Sequence, residues 1–248
     1  MRALVVGSLV MDLAFRIPRR PEPGEVVLAE DFTAFRGGKG YNQAVALARL
    51  GAEVTMVGAV GRDDHGDGFL EALEREGIDA GRVVQVRGAA TAVAVPLIEP
   101  GGDVSFVQYQ GANRQLSGAH CADLPDCDVL LVQGEVPAVA SEQAARVVRG
   151  RGCIVLVNPA PVDDITDRLV SYATVVCPNE TEAQVLVERG GNEAPDDVAA
   201  LAEALRTEDR AAVITLAGRG AVYATGSQTS VVQPPEVSAV DATAAGAS

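Results

Sequence analysis

The alternation of short β-branched runs with helix-patterned stretches constrains this chain more than any other feature. Leu4-Val5-Val6 precedes a predicted helix from Tyr41 to Leu50 closed by Gly51, then Val54 to Val60, then a helix from Gly66 to Glu76 closed by Gly77. After residue 127 the pattern resumes. Val129 to Val132, a helix near Ala138 to Arg149, Ile154 to Val157, a helix near Asp164 to Tyr172, Val175-Val176 and a helix near Glu180 to Glu188 follow in order. Wholly apolar strands separated by amphipathic helices build a parallel sheet covered on both faces. With 248 residues, 48% of them apolar, the chain has ample material for one large α/β domain.

Two segments break the rhythm. Glu25 to Phe35, and Thr91 to Tyr109 with its Glu99-Pro100-Gly101-Gly102 turn, read as antiparallel strands without an intervening helix. They form either a small accessory sheet, suited to a lid or a dimer contact, or an ordinary edge hairpin.

Charge and composition narrow the partners. Lys plus Arg number 20 and Asp plus Glu 34, giving a formal net charge of −14, a field that repels nucleic acid and anionic membranes. Aromatic residues are 4% and Trp is absent, so the stacking platforms of single-strand binders are missing. No run of 18 apolar residues occurs, and the stretch from Met1 to Met11 reads as a buried first strand rather than a secretory signal. His65 and His120 are the two histidines; Cys121, Cys127, Cys153 and Cys177 contain no C-x-x-C pair, which gives no support to a zinc framework or a redox dithiol. Four scattered thiols fit a reducing cytoplasm. Any anion must then be held by a few local cations and backbone N–H groups.

Arg36-Gly37-Gly38-Lys39-Gly40 precedes a helix that begins with Tyr41-Asn42, bringing N–H groups and one ammonium to a helix N-terminus. The alternative is a plain glycine turn. The spacing is not that of a Walker loop, because Thr33 stands where the first Gly belongs, and neither G-x-G-x-x-G nor G-x-S-x-G follows a strand. Asp12 lies just past the first strand, where open α/β sheets collect ligand groups; Glu135, Asn158 and Asn179 follow later strands in the same way. Each alone is as easily a cap or a turn residue. The small-residue run Val240 to Gly246 suits a tight turn into a helix whose N–H groups face an anion, or else a frayed terminus.

In order and spacing these segments resemble the ribokinase-like (PfkB-type) carbohydrate kinases along essentially the whole chain. Gly7-Ser8 with Asp12, Pro23-Gly24-Glu25 and Gly37 to Ala44 are similar to the amino-terminal signature; Gly61-Arg62-Asp63-Asp64 and Gly111-Ala112-Asn113 match further short motifs. Asn158 to Pro161, Pro178 to Ala183, Ile214-Thr215-Leu216 with Gly220, and Asp241 to Gly246 resemble the nucleotide-side motifs and the carboxyl-terminal signature.

The resemblance implies a three-layer α/β/α sandwich with a mostly parallel central sheet and a small antiparallel lid sheet, as one domain over residues 1–248 with lid insertions at about 13–36 and 90–110. It implies ATP-dependent phosphorylation of a sugar hydroxymethyl by a cytoplasmic enzyme that pairs as a homodimer through the lid sheet. Asp12, Gly38, Lys39, Asn42 and Glu135 would hold the sugar; Asn179 and Glu182 would organise Mg²⁺ and phosphate through water. Thr215, Gly218 and Gly220 would lie along the ATP, Asp241 and Thr243 would belong to a K⁺ site, and Ala244, Ala245 and Gly246 would form the anion hole.

The same resemblance expects an aspartate as general base where Ala247 stands, and further helices after Ser248, so it implies a truncated and impaired kinase. A general base contributes 10²- to 10⁴-fold, roughly 3 to 5 kcal/mol of barrier. A non-catalytic sugar- or nucleoside-binding relative and a scaffold dimer are the competing expectations. Val10 in place of an asparagine, Tyr41 in place of a small residue and Ala217 in place of a glycine are smaller departures.

Overall fold

The computed structural model describes residues 1–226 and 228–234. In chain order its elements begin with β1 (Arg2–Val6), β2 (Val10–Arg16), β3 (Asp31–Gly37), α1 (Lys39–Arg49), β4 (Glu53–Gly61), α2 (Asp64–Arg75) and β5 (Asp79–Val86). Next come β6 (Ala92–Ile98), β7 (Val104–Tyr109), β8 (Val129–Gln133), α3 (Ala138–Arg149), β9 (Ile154–Asn158), α4 (Asp167–Tyr172) and β10 (Val175–Val176). The last are α5 (Glu180–Arg189), α6 (Val198–Leu205), β11 (Ala211–Thr215), β12 (Ala221–Thr225) and β13 (Gln228–Val232).

Among the described residues, nine strands form the central sheet in the order β13-β12-β11-β10-β9-β8-β1-β4-β5. All pairings from β5 to β11 are parallel; β12 and β13 add an antiparallel edge. Along β1 the side chains alternate between faces: Leu4 and Val6 pack with Ala140, Ala144 and Val148 of α3, while Ala3 and Val5 pack with Ala44 of α1 and Phe69 and Leu73 of α2. Helices therefore cover both faces, which is why these strands are apolar throughout. A third cluster, with Val176, Ala183, Leu186, Leu201 and Ile214, packs α5 and α6 on the far strands.

From β1 the chain runs to β4 and β5 on one side and resumes with β8 on the other. That reversal makes the β1/β8 boundary a switch point, the place where open α/β sheets leave a crevice beyond the carboxyl ends of their strands.

The second sheet has the order β3-β2-β6-β7. Its outer pairings are antiparallel, but β2 and β6 pair in parallel, so the expectation of a wholly antiparallel sheet is corrected. The single first strand read over Met1 to Met11 is in fact two: β1 ends at Val6, and a separate β2 begins at Val10 and continues through Asp12, the residue that interrupts the apolar pattern. Asp12 lies within this strand, not past the end of the first. In the segment Glu25 to Phe35 only residues from Asp31 onward are strand. The expected helix from Asp164 starts at Asp167, because the Thr166 hydroxyl accepts from the Leu169 N–H at 3.0 Å and caps it there.

Candidate functional site

The crevice at the switch point is built from Gly7-Ser8 after β1, the β3–α1 junction, and Gly134-Glu135 after β8. Gly38 has φ +91°, and a Cβ there would lie 2.9 Å from the Val10 nitrogen; at Gly40 it would lie 2.5 Å from the Ser8 nitrogen. Only glycine lets the α1 terminus sit directly on the β1–β2 turn. Tyr41 N–H then donates to the Ser8 carbonyl at 2.9 Å.

Ser8, fully buried, is the hub. Its hydroxyl donates to Glu135 Oε2 at 2.5 Å, and Gly40 N–H approaches it at 3.4 Å. The same Glu135 oxygen accepts from the Lys39 backbone N–H at 2.8 Å, and the Lys39 ammonium lies 4.0 Å from Glu135 Oε1. Ser8 was not singled out from sequence; its place in the Gly7-Ser8 pair was the available signal. Opposite, the Asp12 carboxylate fills the space over Gly37, where a Cβ would lie 2.0 Å from Oδ2. Burial first, and then the Glu135 charge, push Asp12 up to about 6. Asn42 occupies the first turn of α1, its N–H donating to the Gly38 carbonyl at 2.9 Å and its side chain half-exposed.

A cavity of about 320 Å³ opens beside Glu135, lined also by Gln110, Arg114, Gly134, Val136, Pro137, Ala138 and Asp164. The larger hollow of about 720 Å³ lies at the β4/β5 edge among Glu53, Glu71, Glu74 and Asp79, charges that repel a phosphate. Beneath the crevice a buried polar strip crosses the sheet: Gln133 donates to Gln43 at 2.5 Å, Gln43 to Asn158 at 3.4 Å, and Asn158 to the Cys177 carbonyl at 2.9 Å. Sequence reasoning missed Gln43 and Gln133.

After β10, three strands from β1, Asn179 and Glu182 form a reciprocal cap on α5. Glu182 N–H donates to Asn179 Oδ1 at 2.8 Å and Asn179 N–H to Glu182 Oε2 at 2.9 Å. Burial raises Glu182, opposed by the Asn179 N–H and by the charge of Lys39, the same lysine that lies 4.0 Å from Glu135. Thr215 bridges to Asn179 and donates its N–H to the Pro178 carbonyl at 3.0 Å. Gly218 is exposed with open space around it, and Gly220 has φ +91°. Ala217 has φ +49°, a left-handed conformation that explains the glycine expected there. Asp12, Gly38, Lys39 and Glu135 are thus brought together, with Asn42 on the adjoining turn; Asn179, Glu182, Thr215, Gly218 and Gly220 form a second group. Asp241, Thr243, Ala244, Ala245, Gly246 and Ala247 lie outside the described residues.

The fold and this pair of clusters define a class, an open α/β protein with its ligand crevice at a sheet switch point. Residues 2–247 match the model of the pfkB family carbohydrate kinases. The chain is 34% identical over 249 residues to the ribokinase of Haemophilus influenzae, covering 98% of this chain and 80% of that one, and 34% identical over 257 residues to that of Schizosaccharomyces pombe, covering 98% and 81%. The structure of Arabidopsis thaliana ribokinase complexed with ribose and ATP aligns with a TM-score of 0.86 at 26% identity, covering 99% of this chain and 82% of that one. The chain belongs to the pfkB family of carbohydrate kinases.

Proposed function

We propose that this sugar kinase transfers the ATP γ-phosphoryl group to the hydroxymethyl of a pentose bound at the switch-point crevice. The observation that carries the reading is the convergence of Asp12, Lys39 and Glu135 on a helix N-terminus there. The Asp12 carboxylate accepts sugar hydroxyls, and Glu135 orients Lys39 through backbone and side chain. Lys39, whose charge reaches Glu182, would meet the phosphoryl group as it passes between the two clusters. Ribose is the leading acceptor because the matched relatives are ribokinases, with Val10 and Tyr41 as the positions at which this chain can differ.

The ATP side comprises Asn179, Thr215, Gly218 and Gly220. Mg²⁺ would be held by the nucleotide phosphates and, through water, by Glu182; one half-buried carboxylate fits a cation that keeps most of its waters. The metal would supply charge neutralisation of the phosphates. A K⁺ site at Asp241 and Thr243 and an anion hole at Ala244, Ala245 and Gly246 belong to the same reading and rest on sequence. So does impaired turnover, since Ala247 replaces the expected base. Pairing of two chains through the second sheet is supported by its exposed Phe32, Phe106, Val107 and Tyr109. A cytoplasmic setting follows from the substrates; no helix among the described residues is long and apolar enough to cross a membrane.

The test is sugar-dependent ADP release with Mg²⁺ and K⁺ across pentoses, hexoses and nucleosides, with and without Ala247→Asp. The substitution is expected to raise turnover by about 10²- to 10⁴-fold. Ligand-induced stabilisation without ADP in either protein points instead to the binding-only reading that Ala247 favours, and no response to any sugar or ATP overturns the kinase reading.

A further inference from the structure

Two of the four thiols that look scattered in sequence lie together in space. Cys127 precedes β8 and Cys153 precedes β9, and their sulfurs lie 2.7 Å apart. The Ile154 N–H donates to the Asp128 carbonyl at 3.0 Å, holding the two segments at ladder spacing beside the pair. Neighbouring strands lie about 4.8 Å apart, within the Cα range that a disulfide spans without backbone movement. Cys153 is buried and Cys127 half-buried at the amino ends of the strands, whereas the crevice lies beyond their carboxyl ends.

We propose that Cys127 and Cys153 are a disulfide-forming modification site, oxidised by small-molecule disulfides of the glutathione class. Hydrogen bonding from Cys153 favours the Cys127 thiolate, with Arg151 and Arg2 adding to this and burial and Asp128 opposing it. The same hydrogen bond, together with burial, pushes the Cys153 thiol up. Exposure sets the roles: Cys127, the more exposed of the two, is the nucleophile and Cys153 the resolving thiol.

In the first step the Cys127 thiolate attacks one sulfur of glutathione disulfide, forming a mixed disulfide and releasing one glutathione thiolate. Cys153 then gives up its proton and attacks Cys127 Sγ, releasing the second glutathione. Two protein thiols are oxidised and one glutathione disulfide is reduced to two thiols. The new bond closes a loop over β8, α3 and β9, so its effect is on stability rather than on the crevice. By loop-closure entropy the oxidised form should melt about 6 to 10 °C higher.

The full chain is reduced, desalted and incubated with glutathione disulfide, then denatured and examined by thiol titration, intact mass and peptide mapping. The expected result is a fall from four free thiols to two, loss of two hydrogens, a Cys127–Cys153 cross-linked peptide and a higher Tm that dithiothreitol reverses. Cys153→Ser should instead retain one glutathione on Cys127, and Cys127→Ser should react more than ten-fold more slowly. Four free thiols after incubation, or a stable glutathione adduct on the unsubstituted protein without cross-linking, overturns the proposal.

Discussion

The proposed acceptor side and the proposed nucleotide side of the crevice are built by opposite means. On the acceptor side a buried serine, a half-buried carboxylate and a lysine are tied by hydrogen bonds across three chain segments, over glycines into which no side chain would fit. On the nucleotide side Ala217, Gly218 and Arg219 are exposed, and the fixed element is a helix cap rather than a network. Preorganised charge suits a small polyhydroxylated acceptor whose orientation decides which hydroxyl reacts. Exposed backbone suits a larger ligand that brings its own charge and metal.

The largest test of this contrast is Gly40→Ala. Its Cβ would meet the Gly7 and Ser8 backbone at 2.5 to 2.7 Å, so α1 must shift away from β1. We expect a loss of about 2–4 kcal/mol in urea denaturation, together with loss of sugar binding.

Asp12 gives the next effect, through pH. Its carboxyl is raised from 3.8 to about 6, so the folded protein holds a proton that the unfolded chain has lost between those values. Stability therefore declines as pH rises through that window, and the cost of the charge is fully present above pH 6. Asp12→Asn should stabilise the ligand-free protein at pH 7.5 by about 1–2 kcal/mol, a figure reduced for partial solvent screening, and leave it unchanged near pH 4. Sugar affinity of the unsubstituted protein should fall as pH drops below 6, when the carboxylate is neutralised; titration calorimetry between pH 5 and 8 reads both limbs.

The smallest effect belongs to the nucleotide side. Ala217→Gly relieves a left-handed conformation worth about 1 kcal/mol but adds nearly as much entropy to the unfolded chain. The net change in a thermal melt should be under about 0.5 kcal/mol, against the several kcal/mol at Gly40.

How much of this was legible in the sequence follows the same division. The helix Ala138–Arg149 and the strand Val175–Val176 occur as read, because fully apolar strands and amphipathic helices carry unambiguous periods. Strand β2 escaped because Asp12 breaks its apolar pattern, and the parallel β2–β6 pairing escaped because register between distant strands leaves no local trace. Among the proposed acceptor residues, Asp12 and Lys39 stood out by motif and Glu135 by its place after a strand. Ser8 and Gln43 lie inside the same motifs but were given no role, and Gln133 lies in none, since a buried hydroxyl or amide is told from a surface one only by what packs around it. The proximity of Cys127 and Cys153, 26 residues apart, is likewise a product of strand order.

The central claim is that the acceptor binds where Ser8, Lys39 and Glu135 meet. Its most direct test is calorimetric titration of pentoses at pH 7.5, with a non-hydrolysable ATP analogue and Mg²⁺ present, into the unsubstituted chain and Glu135→Gln. The account predicts saturable binding of at least one pentose that weakens by about 10- to 100-fold in the variant, whose melting temperature stays within a few degrees. Equal affinity in the two proteins would contradict it.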